Sequence, residues 1–313
     1  MLEPLLVAVG VGCLGAVVTG PAVAHRLLRL PQRWRRATEW LLIVGAAVLA
    51  VALARVPARG PWVYASVYLL ATLPGLVAYL AFRTRLASAF VSLAPLYFVI
   101  GLMTKGHPTY VPEIALDQAV PLQPAWMFVY GSLYVFVVLM PVLIVRQPDL
   151  FHRALKAYLT VMLVSYVGFL VYPTGAPRPA DVPGDNFSAW GLRLAYDIDP
   201  PHGCFPSLHV AYAFVSALTC YRVHRGVGVV AGLWATLIGV STLFVKQHYS
   251  VDVIAGAVIA YVAYTLFLRN YPREAMAERD RRLAPWRALA VIGIFGIMLA
   301  GFWMAYRVQM GVS

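Results

Sequence analysis

Acidic side chains are scarce: 13 Asp and Glu in 313 residues, against 25 Lys and Arg, with charged residues at 12% and apolar ones at 61%. That balance excludes a soluble domain of this length, which would carry about twice the charge. Lysine is rarer still, confined to Lys105, Lys156 and Lys246, and the preference for Arg points to a GC-rich bacterial source. Of the three cysteines, Cys13 and Cys220 fall inside apolar runs and only Cys204 lies in a polar loop, so no pair is placed for a disulfide. Cys204 reads as a thiol nucleophile or, more simply, as a small apolar filler. Internal repeats and low-complexity segments are also missing, which argues against a transporter built from inverted repeats.

What the chain has in abundance is apolar runs. A helix needs about 20 residues to cross a hydrocarbon core of about 30 Å. About ten runs qualify, near 4–24, 39–57, 62–82, 87–103, 125–145, 154–172, 208–222, 227–245, 251–269 and 287–306. The expected fold is therefore all-α, a polytopic membrane helix bundle of about ten spans. The first run has Glu3 and no basic residue ahead of it and is followed by HRLLRLPQRWRR, so it reads as an uncleaved anchor with its N-terminus outside. Alternating from there, every inner loop carries basic residues: Arg26 to Arg36, Arg83 and Arg85, Arg146 to Lys156, Arg222 and Arg225, and Arg269 to Arg287. The net charge of +12 is thus topology and attraction to anionic lipid, and nucleic acid is excluded as a partner.

The outer loops differ in kind. The stretch TKGHPTYVPEIALDQAVPLQP, Thr104 to Pro124, alternates apolar and acidic residues with prolines and is expected to lie along the interface. The loop from Tyr172 to Pro206 is the longest and holds Arg178, Asp181, Asp185, Arg193, Asp197, Asp199 and His202. Its acidic residues suit either headgroup hydroxyls or a cation, or a solvated surface. The third is VKQHYSVD, Val245 to Asp252.

Three segments of these loops converge on one membrane face: GAPRP with Arg178, FPSLH with Ser207 and His209, and STLFVKQHYSVD with His248 and Asp252. His248 and Asp252 are spaced i and i+4, so the carboxylate can take one imidazole N–H and leave the other nitrogen to attack an electrophile. Ser207 follows Pro206 at a helix start, where free N–H groups and the dipole favour phosphate. His209 can give a proton to a departing oxygen. Arg178 offers a fork of donors and Lys246 a point charge. Two imidazoles facing each other across a gap the size of a tetrahedral oxyanion describe phosphoryl transfer. His152 and His224 read as interfacial residues.

PSLH followed some forty residues later by S-T-x5-H-Y-S-V-D resembles the second and third signature motifs of the type-2 phosphatidic acid phosphatase superfamily, which also contains the vanadium haloperoxidases. The resemblance covers roughly 87–269. It implies a six-helix core with His248 as the nucleophile forming a phosphohistidine, Asp252 as its orienter, His209 as the acid and Ser207 as a phosphate ligand, without a metal or other cofactor. Two family cations are replaced: the lysine seven residues before Arg178 is Val171, and the arginine after Ser241 is Thr242. The Ser241–Thr242 opening, the leucine of FPSLH, the pair His248–Tyr249 and the LDQAVPLQP stretch resemble the inositol phosphorylceramide synthase branch, whose members move a phospho-headgroup between lipids. Ser241, Thr242 and Tyr249 accordingly join Ser207, Arg178 and Lys246 as candidate substrate-binding residues.

The resulting expectation is a multi-pass enzyme of the bacterial cell membrane with an extracytoplasmic site, taking a lipid-linked phosphate substrate and passing the phospho-headgroup to an alcohol or polyol acceptor. Simple release of inorganic phosphate is the first alternative, and an anionic-lipid transporter or flippase is the second. The chain is expected to divide into N-terminal spans (1–86), a six-span catalytic core (87–270) and a cytoplasmic basic loop with the last span (271–313).

Overall fold

The computed structural model describes residues 3–29, 31, 74–79, 82, 84–104, 109–199 and 201–311. Among them the regular structure is helical, with no strands, as composition and run length require. The chain divides into two compact units, 1–103 and 104–313. In the first, α1 (Glu3–Leu28) carries Pro21 inside it and packs on α2 (Arg85–Leu93) and α3 (Leu96–Met103). Ala24 and Leu76 are buried together there, flanked by Leu27, Leu28 and Tyr79.

The second unit holds α4 (Ala115–Ala119), α5 (Met127–Ile144), α6 (Pro148–Val171), α7 (Phe187–Ile198), α8 (Leu208–Val223), α9 (Arg225–Phe244), α10 (Ser250–Phe267) and α11 (Glu278–Met310). Its centre is α8, which contacts α5, α6, α9 and α10. Inward positions of α8 are small or branched, with Val210, Ala211, Ala213, Val215 and Cys220 fully buried. Lipid-facing positions of its neighbours are large and apolar, as with Val230, Leu233, Ile254 and Val258. That inversion suits a bundle whose solvent is hydrocarbon: small residues let backbones approach, and association comes from packing.

Ten spans are not established. Among the described residues, five helices are long and apolar enough to cross a membrane: α5 with the turn before it, α6, α9, α10 and α11; α1, bent by 52° between Val9–Val17 and Thr19–Leu28, makes a sixth if counted as one span. The run expected at 39–57 lies outside the described residues, as does most of that at 62–82. The run at 87–103 is a shorter apolar helix, interrupted at Ala94 and Pro95. The run at 208–222 forms α8, with 16 residues. At about 1.5 Å per residue it falls short of a full bilayer crossing, and its neighbours enclose it instead.

Two glycines fix how the helices meet. A Cβ at Gly256 of α10 would lie 2.5 Å from the Ser207 carbonyl oxygen and 3.2 Å from Val210 Cβ. A Cβ at Gly168 of α6 would lie 2.5 Å from Pro206 Cδ. Both hold the start of α8 against its neighbours. Gly256→Ala is expected to lower stability by about 1–3 kcal/mol through overpacking, read as a lower melting temperature in detergent. Gly232→Ala, whose Cβ meets nothing within 4 Å, is expected to leave melting unchanged or raise it; equal behaviour of the two would refute this packing account.

Candidate active site

The C-terminal ends of α6 and α9 and the N-terminal ends of α5, α8 and α10 share one pole of the second unit, as chain order through antiparallel neighbours dictates. The loops at that pole carry the polar groups, and their backbone is built to present them. After α9, Lys246 adopts φ 52°, a left-handed conformation uncommon outside glycine. It turns the chain so that Gln247 and His248 both donate their N–H to the Thr242 carbonyl, at 2.9 and 3.3 Å. Tyr249 then caps α10, and Asp252 in the first turn accepts the Tyr249 N–H on Oδ2 at 2.9 Å.

The same Oδ2 lies 3.4 Å from His248 Nδ1. Asp252 is fully buried and His248 nearly so. Across from them, Ser207 caps α8, its Oγ accepting the Val210 N–H at 3.3 Å. The Ser207 N–H donates to the Asp252 carbonyl at 3.0 Å. The second of these bonds lashes the start of α8 to the start of α10, and the segment follows a cis bond between Phe205 and Pro206. His209, in the first turn of α8, places Nδ1 3.1 Å from His248 Nε2. The imidazoles therefore face each other as expected, but in direct hydrogen-bonding contact with no gap between them.

Arg178 is held as a folded anchor. Its Nε and Nη2 donate to Gln247 Oε1 at 3.1 and 2.5 Å, and its Nη1 to the carbonyls of Tyr196 and Asp199 at 3.1 and 2.9 Å. The guanidinium also lies 4.7 Å from the centre of the Tyr196 ring. Burial pushes the Tyr196 hydroxyl up to about 12, so it stays protonated and donates to the Val245 carbonyl at 2.6 Å. Lys246 Nζ donates to the carbonyls of Asp117 and Val120, at 3.1 and 2.6 Å. It lines a polar pocket of about 260 Å³ together with Glu113, Asp117 and His248. Tyr249 is buried at its cap position. Ser241 and Thr242 are fully buried, and their hydroxyls donate back into their own helix, to the carbonyls of Ile238 and Gly239. Their side chains are not brought into the cluster.

Several residues of the site carried no signal in the sequence. Asp117, in the stretch expected to lie along the interface, is buried, and its Oδ1 accepts the Ser250 N–H at 2.7 Å and hydroxyl at 2.6 Å. It thus caps α10 from a distance. Gln247 is buried with its Nε2 unpartnered among the described residues. Of the loop carboxylates, Asp181 bonds its neighbour's N–H, Asp185 is 91% exposed beside Arg193, and Asp197 is exposed. Only Asp199 turns inward, with Oδ2 accepting the Tyr130 hydroxyl at 3.2 Å.

Cys204, His248 and Asp252 each offer a ligand atom, all within 4.8 Å of one another. A metal would require the thiolate. Burial, reinforced by the Asp252 charge, pushes the Cys204 thiol far above its ordinary value, and Asp252 Oδ2 is already committed to His248 and Tyr249, while its Oδ1 is buried without a partner among the described residues. The donor set suits an oriented imidazole better than a metal centre.

Three comparisons bear on this arrangement. A family model described as the PAP2 superfamily matches residues 106–266. A PA-phosphatase related-family protein of Dictyostelium discoideum is 38% identical over 54 residues, which cover 17% of this chain and 10% of that protein. The chain therefore matches about a tenth of that relative's length. No solved structure matches.

The buried, protonated thiol gives a direct check. With Cys13 and Cys220 replaced by alanine, Cys204 is expected to resist maleimide at pH 8 in the native protein and to label fully in SDS. Rapid native labelling would show an accessible thiolate and restore the metal or nucleophile reading.

Proposed function

This chain belongs to the PAP2 superfamily, and on that premise we propose that it cleaves a lipid-linked phosphoester through a phosphohistidine on His248 and passes the phospho-headgroup to an alcohol. The observation that carries the reading is the line Asp252, His248, His209, with contacts of 3.4 and 3.1 Å. Asp252 takes the Nδ1 proton of His248, which leaves the Nε2 lone pair as the nucleophile and directs it at the side where His209 lies. Attack forms the N–P bond as the P–O bond to the leaving alcohol breaks, and His209 gives that oxygen its proton. In the second half an acceptor hydroxyl gives its proton to His209 and attacks phosphorus, and the N–P electron pair returns to His248.

Three features support a lipid phosphodiester as substrate. The polar pocket beside His248 shares Leu243 with an apolar groove of about 460 Å³ between α9 and α10, walled by Gly239, Val253, Ala257 and Tyr261. A headgroup and a hydrocarbon chain of one molecule fit these two spaces in sequence. Next, neither replaced family cation is made good at its own position: Val171 is 74% exposed at the end of α6, and Thr242 is sealed inside α9. A phosphodiester carries one charge fewer than a phosphomonoester, so it needs less compensation in the transition state. Finally, Gln247 Nε2 is a buried unpaired donor beside Arg178 and His248, a placement that otherwise costs about 1–3 kcal/mol. A phosphate oxygen would satisfy it.

The pole bearing the site is extracytoplasmic in this reading. Arg146, Arg153, Arg222, Arg225 and Arg269 lie at the ends and connections opposite to it, and the excess of basic residues marks the cytoplasmic side.

Three measurements test the proposal. Purified protein in mixed micelles, given a labelled phosphodiester lipid and a polyol, is expected to form a new phosphodiester, with little inorganic phosphate from a matched phosphomonoester lipid; inorganic phosphate as the sole product would reverse transfer and hydrolysis. The His248→Ala variant is expected to lose turnover by at least about 10²-fold together with an acid-labile, alkali-stable phosphoenzyme, whereas retained lipid movement without chemistry would favour a transporter. In a chain-length series, Ala257→Trp is expected to raise KM for long-chain lipids and leave short-chain analogues unaffected. Equal effects on both would remove the groove from the account.

A further inference from the structure

His248 is not the only imidazole of the pair with a carboxylate behind it. His209 Nδ1 faces His248, and its Nε2 lies 3.9 Å from Asp199 Oδ2. Asp199 is 6% exposed and belongs to the long loop, where its three acidic companions stay near solvent. Its carboxylate is held in place: Oδ2 accepts the Tyr130 hydroxyl at 3.2 Å and lies 3.9 Å from Arg178 Nη2, and its backbone carbonyl accepts Arg178 Nη1 at 2.9 Å. The Tyr130 ring in turn packs beside the His209 ring, with centres 5.7 Å apart. A buried carboxylate fixed by a tyrosine and an arginine and aimed at the far nitrogen of an imidazole is an orienting group by geometry.

We infer that Asp199 is the positioning residue of His209, so that the site contains two opposed carboxylate–histidine pairs with contrary tasks. The inference rests on the phosphohistidine reading above. Hydrogen accounting along the line makes the argument. Asp252 holds the proton of His248 Nδ1, so His248 Nε2 is an acceptor, and the hydrogen in the 3.1 Å contact belongs to His209 Nδ1. If His209 carried no second proton, its Nε2 lone pair would point at the Asp199 carboxylate, an acceptor against an acceptor. A proton on Nε2 turns that repulsion into a charge-assisted contact. Asp199 thereby favours the doubly protonated ring and decides which proton leaves. When the P–O bond breaks, Nδ1 releases its hydrogen to the alkoxide oxygen, and the neutral ring keeps the Nε2 hydrogen facing Asp199. Asp252 makes a base of one ring, and Asp199 makes an acid of the other. The 3.9 Å separation exceeds a hydrogen bond, and contacts of this kind tighten when substrate fills a site.

The groups that face His209 define what else acts on its proton. From the start of α10 it is His248, with Asp252 behind it; from the connecting loop, Asp199 and Arg178; from α5, Tyr130, with Tyr134 beyond it. Burial above all, with His248 and Arg178, opposes protonation of His209, and Asp199 favours it, so removing the Asp199 charge must make His209 a stronger acid.

The test uses the full chain in micelles with two phosphate esters matched in charge, one with an alkyl leaving group and one with p-nitrophenol, which departs without a proton. Asp199→Asn is expected to lower kcat for the alkyl ester by at least about tenfold with KM little changed, and to spare the nitrophenyl ester. Because the acid form of His209 is required, the alkaline limb of the alkyl-ester profile moves to lower pH, by about one unit or more. Asp199→Glu, which keeps the charge, is expected to restore the limb. Should Asp199→Asn fail to fold, the Asp199→Glu profile alone still reads the position of the carboxylate through any displacement of the limb. Equal losses on both esters with an unmoved limb would overturn the inference and leave Asp199 as a structural partner of Arg178. A wild-type protein inactive on both esters would overturn the phosphoester reading instead; imidazole ¹⁵N NMR then reads the pairing by itself, as a fall in the His209 protonation midpoint in Asp199→Asn or as no change.

Discussion

Everything at the polar end of this bundle is tied to one fully buried carboxylate. Asp252 sits in the first turn of α10 with no exposure, where an unpaired charge is prohibitively unfavourable. Its Oδ2 meets part of that requirement with the Tyr249 N–H and the His248 ring, its Oδ1 has no partner among the described residues, and its backbone carbonyl takes the Ser207 N–H from the start of α8. One residue thus caps its own helix, orients an imidazole and joins two helix starts. The bonds that partly satisfy a charge inside an apolar bundle also fix the His248 ring. Asp117 repeats the device from outside, holding the Ser250 N–H and hydroxyl at the same helix end.

The apolar body makes those bonds possible by letting backbones come close. Gly256 admits the Ser207 carbonyl, Gly168 admits Pro206, and the inward face of α8 is largely alanine and valine. Such contacts carry the stability of a helix bundle in lipid, where apolar side chains gain little by leaving hydrocarbon. The large residues face outward, so a close-packed centre and a lipid-compatible surface arise from one inversion of the soluble pattern.

How much of this the sequence discloses depends on the range of the contact. Helical class follows from run length and composition, and the meeting of His248 with Asp252 from a spacing of four on one helix. The convergence of FPSLH and HYSVD follows from alternation of spans, which puts both at one pole. Asp199, Asp117 and Gln247 are different. Asp117 meets Ser250 across 133 positions, and Arg178 meets Gln247 across 69. No periodicity distinguishes Asp199 from Asp181, Asp185 and Asp197, which share its loop and stay near water. Ser241 and Thr242 show the reverse: their place in a signature motif suggested ligand contact, yet hydroxyls in a membrane helix are readily satisfied by the carbonyl one turn back, and both are. The run at 208–222 forms a helix of nearly the expected extent, Leu208–Val223, but does not count as a full span, since a helix enclosed by protein has no need to match the bilayer.

The direct contact between the two imidazoles has a consequence for how the site meets its reactants. At 3.1 Å, His209 occupies the His248 lone pair that the proposed mechanism directs at phosphorus, and no tetrahedral group enters that line until the rings part. The nucleophile is therefore latched by its own partner. Opening the latch forfeits a hydrogen bond of about 0.5–1.5 kcal/mol, an amount that an anion pulling on both rings readily supplies and a stray neutral electrophile does not. Under the proposed mechanism, selectivity for a charged phosphoester begins with the act of prising the pair apart, ahead of any contact with the headgroup or the chain.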